Sequence, residues 1–213
     1  MIELRALSAL LSYPRDDLRQ ALPEIADAIR SSPLVAARER EGLMTLIAEL
    51  AAGDLLEAEE RYVELFDRRR ATSLHLFEHL HGESRDRGEA MVELKRLYER
   101  AGFELSTSEL PDYLPVVLEY LSCRDLAETR EILSDCAHIL KMIARELITR
   151  HSAYSSVLQA LLVIAGEAPL DPQSVPRVHE RAENLDRDWF EEPAFAAPTP
   201  ATSTRRPPPD ASR

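Results

Sequence analysis

The chain of 213 residues is 45% hydrophobic and 30% charged, enough for one domain with a substantial core and a composition typical of a soluble protein. Its formal net charge is −12, and residues 1–192 alone carry −14, because the last 21 residues set Arg205, Arg206 and Arg213 against Asp210 only. Such a surface repels phosphate, which argues against a nucleic-acid partner and in favour of a cationic or apolar peptide.

The first segment, MIELRALSALLSYP, has apolar residues at helical spacing but no basic start and no small-residue cleavage site, so it is not a signal peptide. Even LQALLVIAG at 158–166 falls short of the ~20 apolar residues that span a bilayer. A cytoplasmic protein without stable membrane insertion is expected. Cys123 and Cys136 stand apart with no Cys-x-x-Cys or Cys/His pairing, which predicts reduced, mostly buried thiols and neither a disulfide framework nor a zinc site.

Prolines are missing from 34–110 and 116–168, while six of the fourteen lie in the last 21 residues. Within the proline-free stretches apolar residues follow the i, i+3, i+4, i+7 pattern, as at Leu43, Leu46, Ile47 and Leu50, or at Ile132, Cys136, Ile139, Leu140 and Ile143. No sustained period-2 run occurs, so no sheet is read. The pattern predicts helices near 3–12, 15–30, 34–51, 54–68, 73–81, 86–101, 111–122, 124–150 and 154–166. A further helical segment is expected around 176–190. The starts suggested by residue type are Ser32 with Pro33, Asp54, and Ser106 with Glu109 as a capping box. Gly82 and Gly102 are placed as stops. The fold class is therefore all-α, a single helical domain over 1–192 followed by a Pro-rich segment 193–213 that has little to bury and is expected to be disordered.

Candidate chemistry concentrates in YVELFDRRRATSLHLFEHLHGESRDRGEAM, residues 62–91. His75 and His79 share a helical face, and His81 follows, so a metal-dependent hydrolase is one reading. The zinc-protease spacing needs Glu directly after the first His, where Leu76 stands, and no fourth ligand is evident. Ser84 in GESRD lacks a nucleophile elbow and reads as a helix cap. Gly82 and Gly88 make no phosphate loop. The histidines then cap a short helix, and Arg85, Asp86, Arg87 and Glu89 fix a turn, which leaves no enzyme indicated. In ELPDYLPVVLEYLS, residues 109–122, Pro111 and Pro115 bracket a first helical turn with Glu109 and Asp112 at its positive end. This acidic, aromatic helix entrance suits one wall of a groove for a peptide helix.

These segments resemble the NarJ-type assembly chaperones of respiratory nitrate reductase, within the wider family of chaperones for molybdenum enzymes. The matching stretches are LSYP (11–14), YVELFD (62–67), LHLFEHLHGESRDRGEAM (74–91), ELPDYLPVVLEYLS (109–122) and LDRDWFEEPAF (185–195). The resemblance implies an all-α fold and a non-catalytic cytoplasmic role. It implies binding of the molybdenum-containing catalytic (alpha) subunit of nitrate reductase, partly through that subunit's N-terminal segment, before membrane attachment. It also implies help with molybdenum cofactor insertion and subunit assembly, with no cofactor or metal held permanently. The wider family's Glu-x-Pro-Asp-His signature is matched by Glu109, Pro111 and Asp112, with Tyr113 in place of His, a departure that agrees with the nitrate-reductase branch. A chaperone for another molybdenum oxidoreductase is the alternative. The candidate client-peptide residues are Phe66, Phe77, His79, His81, Arg85, Glu109, Asp112, Tyr113 and Glu119.

Overall fold

The computed structural model describes residues 1–80, 85–105 and 109–175. The chain divides into two units, Met1–Arg177 and Val178–Arg213, and the second lies outside the described residues. So do the helix expected around 176–190, the segment 193–213, and the cap and stop residues Gly82, Ser84 and Ser106.

The described residues form ten α-helices: α1 (Ile2–Leu11), α2 (Asp16–Ser31), α3 (Ala37–Ala52), α4 (Leu55–Tyr62), α5 (Leu76–Leu80), α6 (Arg85–Arg100), α7 (Leu114–Ser122), α8 (Leu126–Asp135), α9 (Ala137–Thr149) and α10 (Ser155–Ala165). No strand occurs among them, and the one extended pairing is an isolated antiparallel bridge between His75 and Tyr113. The all-α expectation holds.

Helix α1 is the inner element. Leu4, Leu7, Leu10 and Leu11 have no exposed surface where α1 packs on α7 and α2, and each such leucine is worth about 2 kcal/mol relative to exposure. Helix α10 is buried among α3, α8 and α9, with Val157, Leu158, Ala160, Leu161 and Leu162 fully buried and the buried Gln159 paired with the Leu170 backbone. Helix α9 buries a single stripe, Ile139, Leu140, Ile143 and Leu147. Helix α6 is held more lightly. Tyr98 is its buried residue, its hydroxyl donating to the Pro111 carbonyl at 2.8 Å and its ring meeting Phe103 and Tyr120.

Several boundaries differ from the sequence expectation for local reasons. Asp54 caps α4 as expected, accepting from the Leu56 amide at 2.7 Å. Ser32 does not open a helix: it follows α2, and its hydroxyl accepts from the Leu34 amide within a turn, so α3 begins only at Ala37. The expected helix at 54–68 changes hydrogen-bond register, passing from α4 into a π turn over Val63–Asp67. The helix expected at 124–150 is two, because the chain pivots at Cys136 between α8 and α9. Glu109 and Pro111 precede α7, which begins at Leu114 with Pro115 in its first turn, later than the start expected at 111. Gly102 does end α6, with φ of 72°. Both cysteines are free, yet Cys123 is exposed, because it lies at the C-terminal end of α7 where the chain turns outward. Cys136 is partly buried, and burial raises its thiol pKa.

Gly42 marks the close approach of α3 to α10: a Cβ there would lie 2.8 Å from Cβ of Ser156. A larger side chain must push the two helices apart, and overpacking of this kind costs about 1–3 kcal/mol, more than the gain in helix propensity. We expect Gly42→Val to lower unfolding stability by about 2 kcal/mol in urea titration, and an unchanged midpoint would show that α3 yields freely.

Candidate functional site

The site is organised around Asp112, a carboxylate with no exposed surface. Helix α5 follows a turn and offers unsatisfied amides at its start. Asp112 Oδ2 accepts from the Phe77 amide at 3.1 Å, and Oδ1 lies 3.3 Å from Nδ1 of His75, which donates to it. The charge read from the sequence as serving the helix of Asp112 itself therefore serves α5. The backbone repeats the tie, with the Leu76 amide donating to the Asp112 carbonyl at 3.1 Å and the Leu114 amide to the Leu74 carbonyl at 2.8 Å.

Tyr113, the next residue, inherits this fixed position. Its ring lies on His75 with centroids 5.2 Å apart, and its hydroxyl is 2.7 Å from that of Tyr62. Tyr62 donates to the Leu11 carbonyl at 2.8 Å, so Tyr113 donates to Tyr62. Burial raises the pKa of both phenols and keeps the relay protonated.

The outer face of Tyr113 lines a groove of about 540 Å³ between the end of α1, the start of α2, the segment after α6 and the entrance of α7. Tyr13 and Phe103 add aromatic surface, and Ala9, Leu18 and Val116 an apolar floor. Four carboxylates, Asp17, Glu104, Glu109 and Glu119, surround this floor, against Arg15 as the one basic lining residue among the described residues. The guanidinium of Arg15 lies 5.9 Å from the Tyr13 ring centroid. An apolar trough ringed by negative charge suits an amphipathic, cationic peptide segment.

Of the residues singled out in the sequence, Glu109, Tyr113 and Glu119 meet in this groove. Asp112 supports it from beneath. Phe66 lines a separate cavity of about 370 Å³ with His75, Glu78 and three arginines. Phe77 is half-buried and packs against the core. Nε2 of His79 donates to the Ser73 carbonyl at 2.9 Å and steadies the turn before α5. His81 lies outside the described residues, as does the side chain of Arg85. Among the described residues no cluster of His, Cys, Asp or Glu is placed to hold a metal ion. The sequence reading missed Tyr13, Asp17, Phe103 and Glu104. Tyr13 sits in the LSYP stretch and Phe103 directly after the Gly102 stop, so an aromatic flanking a helix end was the available signal.

Residues 13–155 match the model of the nitrate reductase delta subunit family. The chain belongs to that family. It is 42% identical over 197 residues to the nitrate reductase molybdenum cofactor assembly chaperone NarJ of Escherichia coli K12, covering 90% of this chain and 84% of that protein. NarW of the same strain, named for the same assembly task, is 36% identical over 194 residues, covering 89% and 81%. A crystal structure from Archaeoglobus fulgidus, assigned by name to redox enzyme maturation, superposes with a TM-score of 0.54 over 76% of this chain and 91% of that one. At 23% identity it shares the fold. No helix among the described residues is long and apolar enough to cross a membrane.

The hydrogen bond from His75 to Asp112 raises the imidazole pKa above its ordinary 6.5. A raised folded-state pKa gives stability that is fully present below the unfolded value and is lost as pH climbs through the folded one. The thermal midpoint of the wild type should therefore fall from about pH 6.5 upward relative to a His75→Gln variant, whose profile should be flatter there. Parallel profiles would remove His75 from the linkage.

Proposed function

We propose that this protein is a non-catalytic cytoplasmic chaperone that binds the catalytic subunit of respiratory nitrate reductase and assists molybdenum cofactor insertion and complex assembly before membrane attachment. The groove beside Tyr113 takes the N-terminal segment of that subunit. The observation that carries this reading is the groove's composition, an aromatic floor ringed by four carboxylates, on a chain of the nitrate reductase delta subunit family. Relatives that align along most of its length are named as molybdenum cofactor assembly chaperones, which supports the client. Apolar anchors supply affinity, and the carboxylates steer a basic segment into place. The molybdenum cofactor is cargo for the client, and the chaperone holds the client competent to receive it.

A peptide copying the N-terminal segment of a nitrate reductase catalytic subunit should bind the full chain with a Kd of roughly micromolar or tighter. The affinity should weaken as salt rises, because exposed charges are screened beyond ~8 Å at physiological ionic strength. Tyr113→Ala should cost ~1–2 kcal/mol of binding, while Tyr113→Phe, which keeps the ring and loses the Tyr62 contact, should retain most of it. A Glu109→Gln/Glu119→Gln double variant should bind more weakly and with a shallower salt dependence. Calorimetric titration reads all four, and no heat at ~100 µM peptide would remove the leader-binding groove.

A further inference from the structure

The cavity lined by Phe66, His75 and Glu78 is a further concave feature of the described surface, and peptide recognition at the groove does not use it. Three of its lining residues are arginines, Arg69, Arg70 and Arg87, against the two carboxylates Asp67 and Glu78, in a protein whose net charge is −12. That concentration runs against the charge of the molecule as a whole.

The arginines stand on a fixed frame. The π turn Val63–Asp67 sets Phe66 into the cavity wall, and the chain then passes into a 3₁₀ turn over Arg70–Thr72. Thr72 has no exposed surface, and its hydroxyl donates to the Leu65 carbonyl, pinning the turn beneath the arginines. The amides of Thr72 and Ser73 donate to the carbonyls of Arg69 and Arg70, each at 3.2 Å. Ser73 is buried in turn, with its carbonyl taken by His79 and its hydroxyl accepting from the His75 amide at 3.3 Å. Arg87 reaches in from α6 and is placed by Glu78 at 3.4 Å.

Two of the three guanidinium groups have a carboxylate partner, Arg69 in Glu64 and Arg87 in Glu78, which leaves Arg70. Glu64 is shared between Arg68 and Arg69. Arg70 donates to the backbone carbonyl of Glu78 at 3.2 Å, and among the described residues no carboxylate pairs with it. Planar guanidinium forks lining one space match the oxygens of a phosphoryl group better than a single ammonium would. At about 370 Å³ the cavity exceeds what one inorganic phosphate fills and lies at the small end of organic ligand sites.

We propose that this cavity binds a small phosphorylated ligand, a phosphate monoester or diphosphate, held by Arg69, Arg70 and Arg87. The site is separate from the groove: Tyr113 lines the groove and His75 lines this cavity, with the two rings in contact. The assignment goes beyond the chaperone reading and stands on its own residues.

The test is titration of the full-length protein with pyrophosphate, with phenyl phosphate and with succinate at constant ionic strength, followed by calorimetry. Saturable binding of the phosphoryl probes below ~1 mM, at least tenfold tighter than succinate, is expected. Arg70→Ala should weaken it at least fivefold, while Arg68→Ala, the same change of charge on a residue that does not line the cavity, should leave it unchanged. Equal loss in both variants would reduce the effect to surface charge. Equal affinity for succinate, or no saturation by ~10 mM pyrophosphate, would overturn the assignment. A circular dichroism melt of Arg70→Ala matching wild type ties any loss to the site and not to unfolding.

Discussion

A buried carboxylate must be matched by donors, and Asp112 gathers more of the structure around it than any other side chain of the site. Leaving such a group unpaired would cost several kcal/mol. The matching donors, the Phe77 amide and Nδ1 of His75, lie some 35 residues earlier in the chain, so satisfying one side chain fixes the α5 segment against the α7 entrance. Everything nearby follows from that constraint. Tyr113 cannot move far while its neighbour is held, His75 lies against its ring, and Tyr62 receives its hydroxyl and passes the contact to the end of α1. A binding surface built this way loses little conformational freedom on engaging a partner, which leaves more of the contact energy as affinity.

Much of the fold was legible because its information is local. Apolar period, Asp54 as a cap and Gly102 as a stop each act within one turn of the chain, and the helices they delimit are present. The errors have the opposite character. Ser32 has the right chemistry for a cap and a proline after it, yet its hydroxyl is used in a tight turn behind α2. An uninterrupted apolar period from Ile132 to Leu147 gave no sign of the pivot at Cys136, because both helices on either side present the same stripe to α10. Change of register into a π turn leaves no residue-type signature at all.

The site shows the same division. Glu109, Tyr113 and Glu119 were accessible because one short stretch, the approach to α7 and α7 itself, carries all three. The opposite wall comes from Tyr13 and Asp17, far earlier in the chain than α7, and from Phe103 and Glu104 in the segment that follows α6. Each taken singly is an ordinary residue near a helix end, and only the packing of α1 on α7 makes them face one another. Asp112 is the instructive intermediate. Its importance was visible beside two prolines, but its role was assigned to the wrong helix, since no local pattern reveals a cap supplied from another part of the chain.

Charge separates the two concave surfaces more firmly than distance does. The groove carries four carboxylates and one arginine, so an anionic ligand entering it would meet net repulsion in a partly desolvated space. The arginine cavity, with three arginines against Asp67 and Glu78, leans to the opposite sign. A basic peptide and a phosphorylated small molecule would thus sort themselves without competing, even though Tyr113 of one site touches His75 of the other. That contact is itself secured by Asp112. If both sites act as proposed, discrimination between two ligands of opposite sign traces back to the same buried carboxylate that fixes the helix entrance.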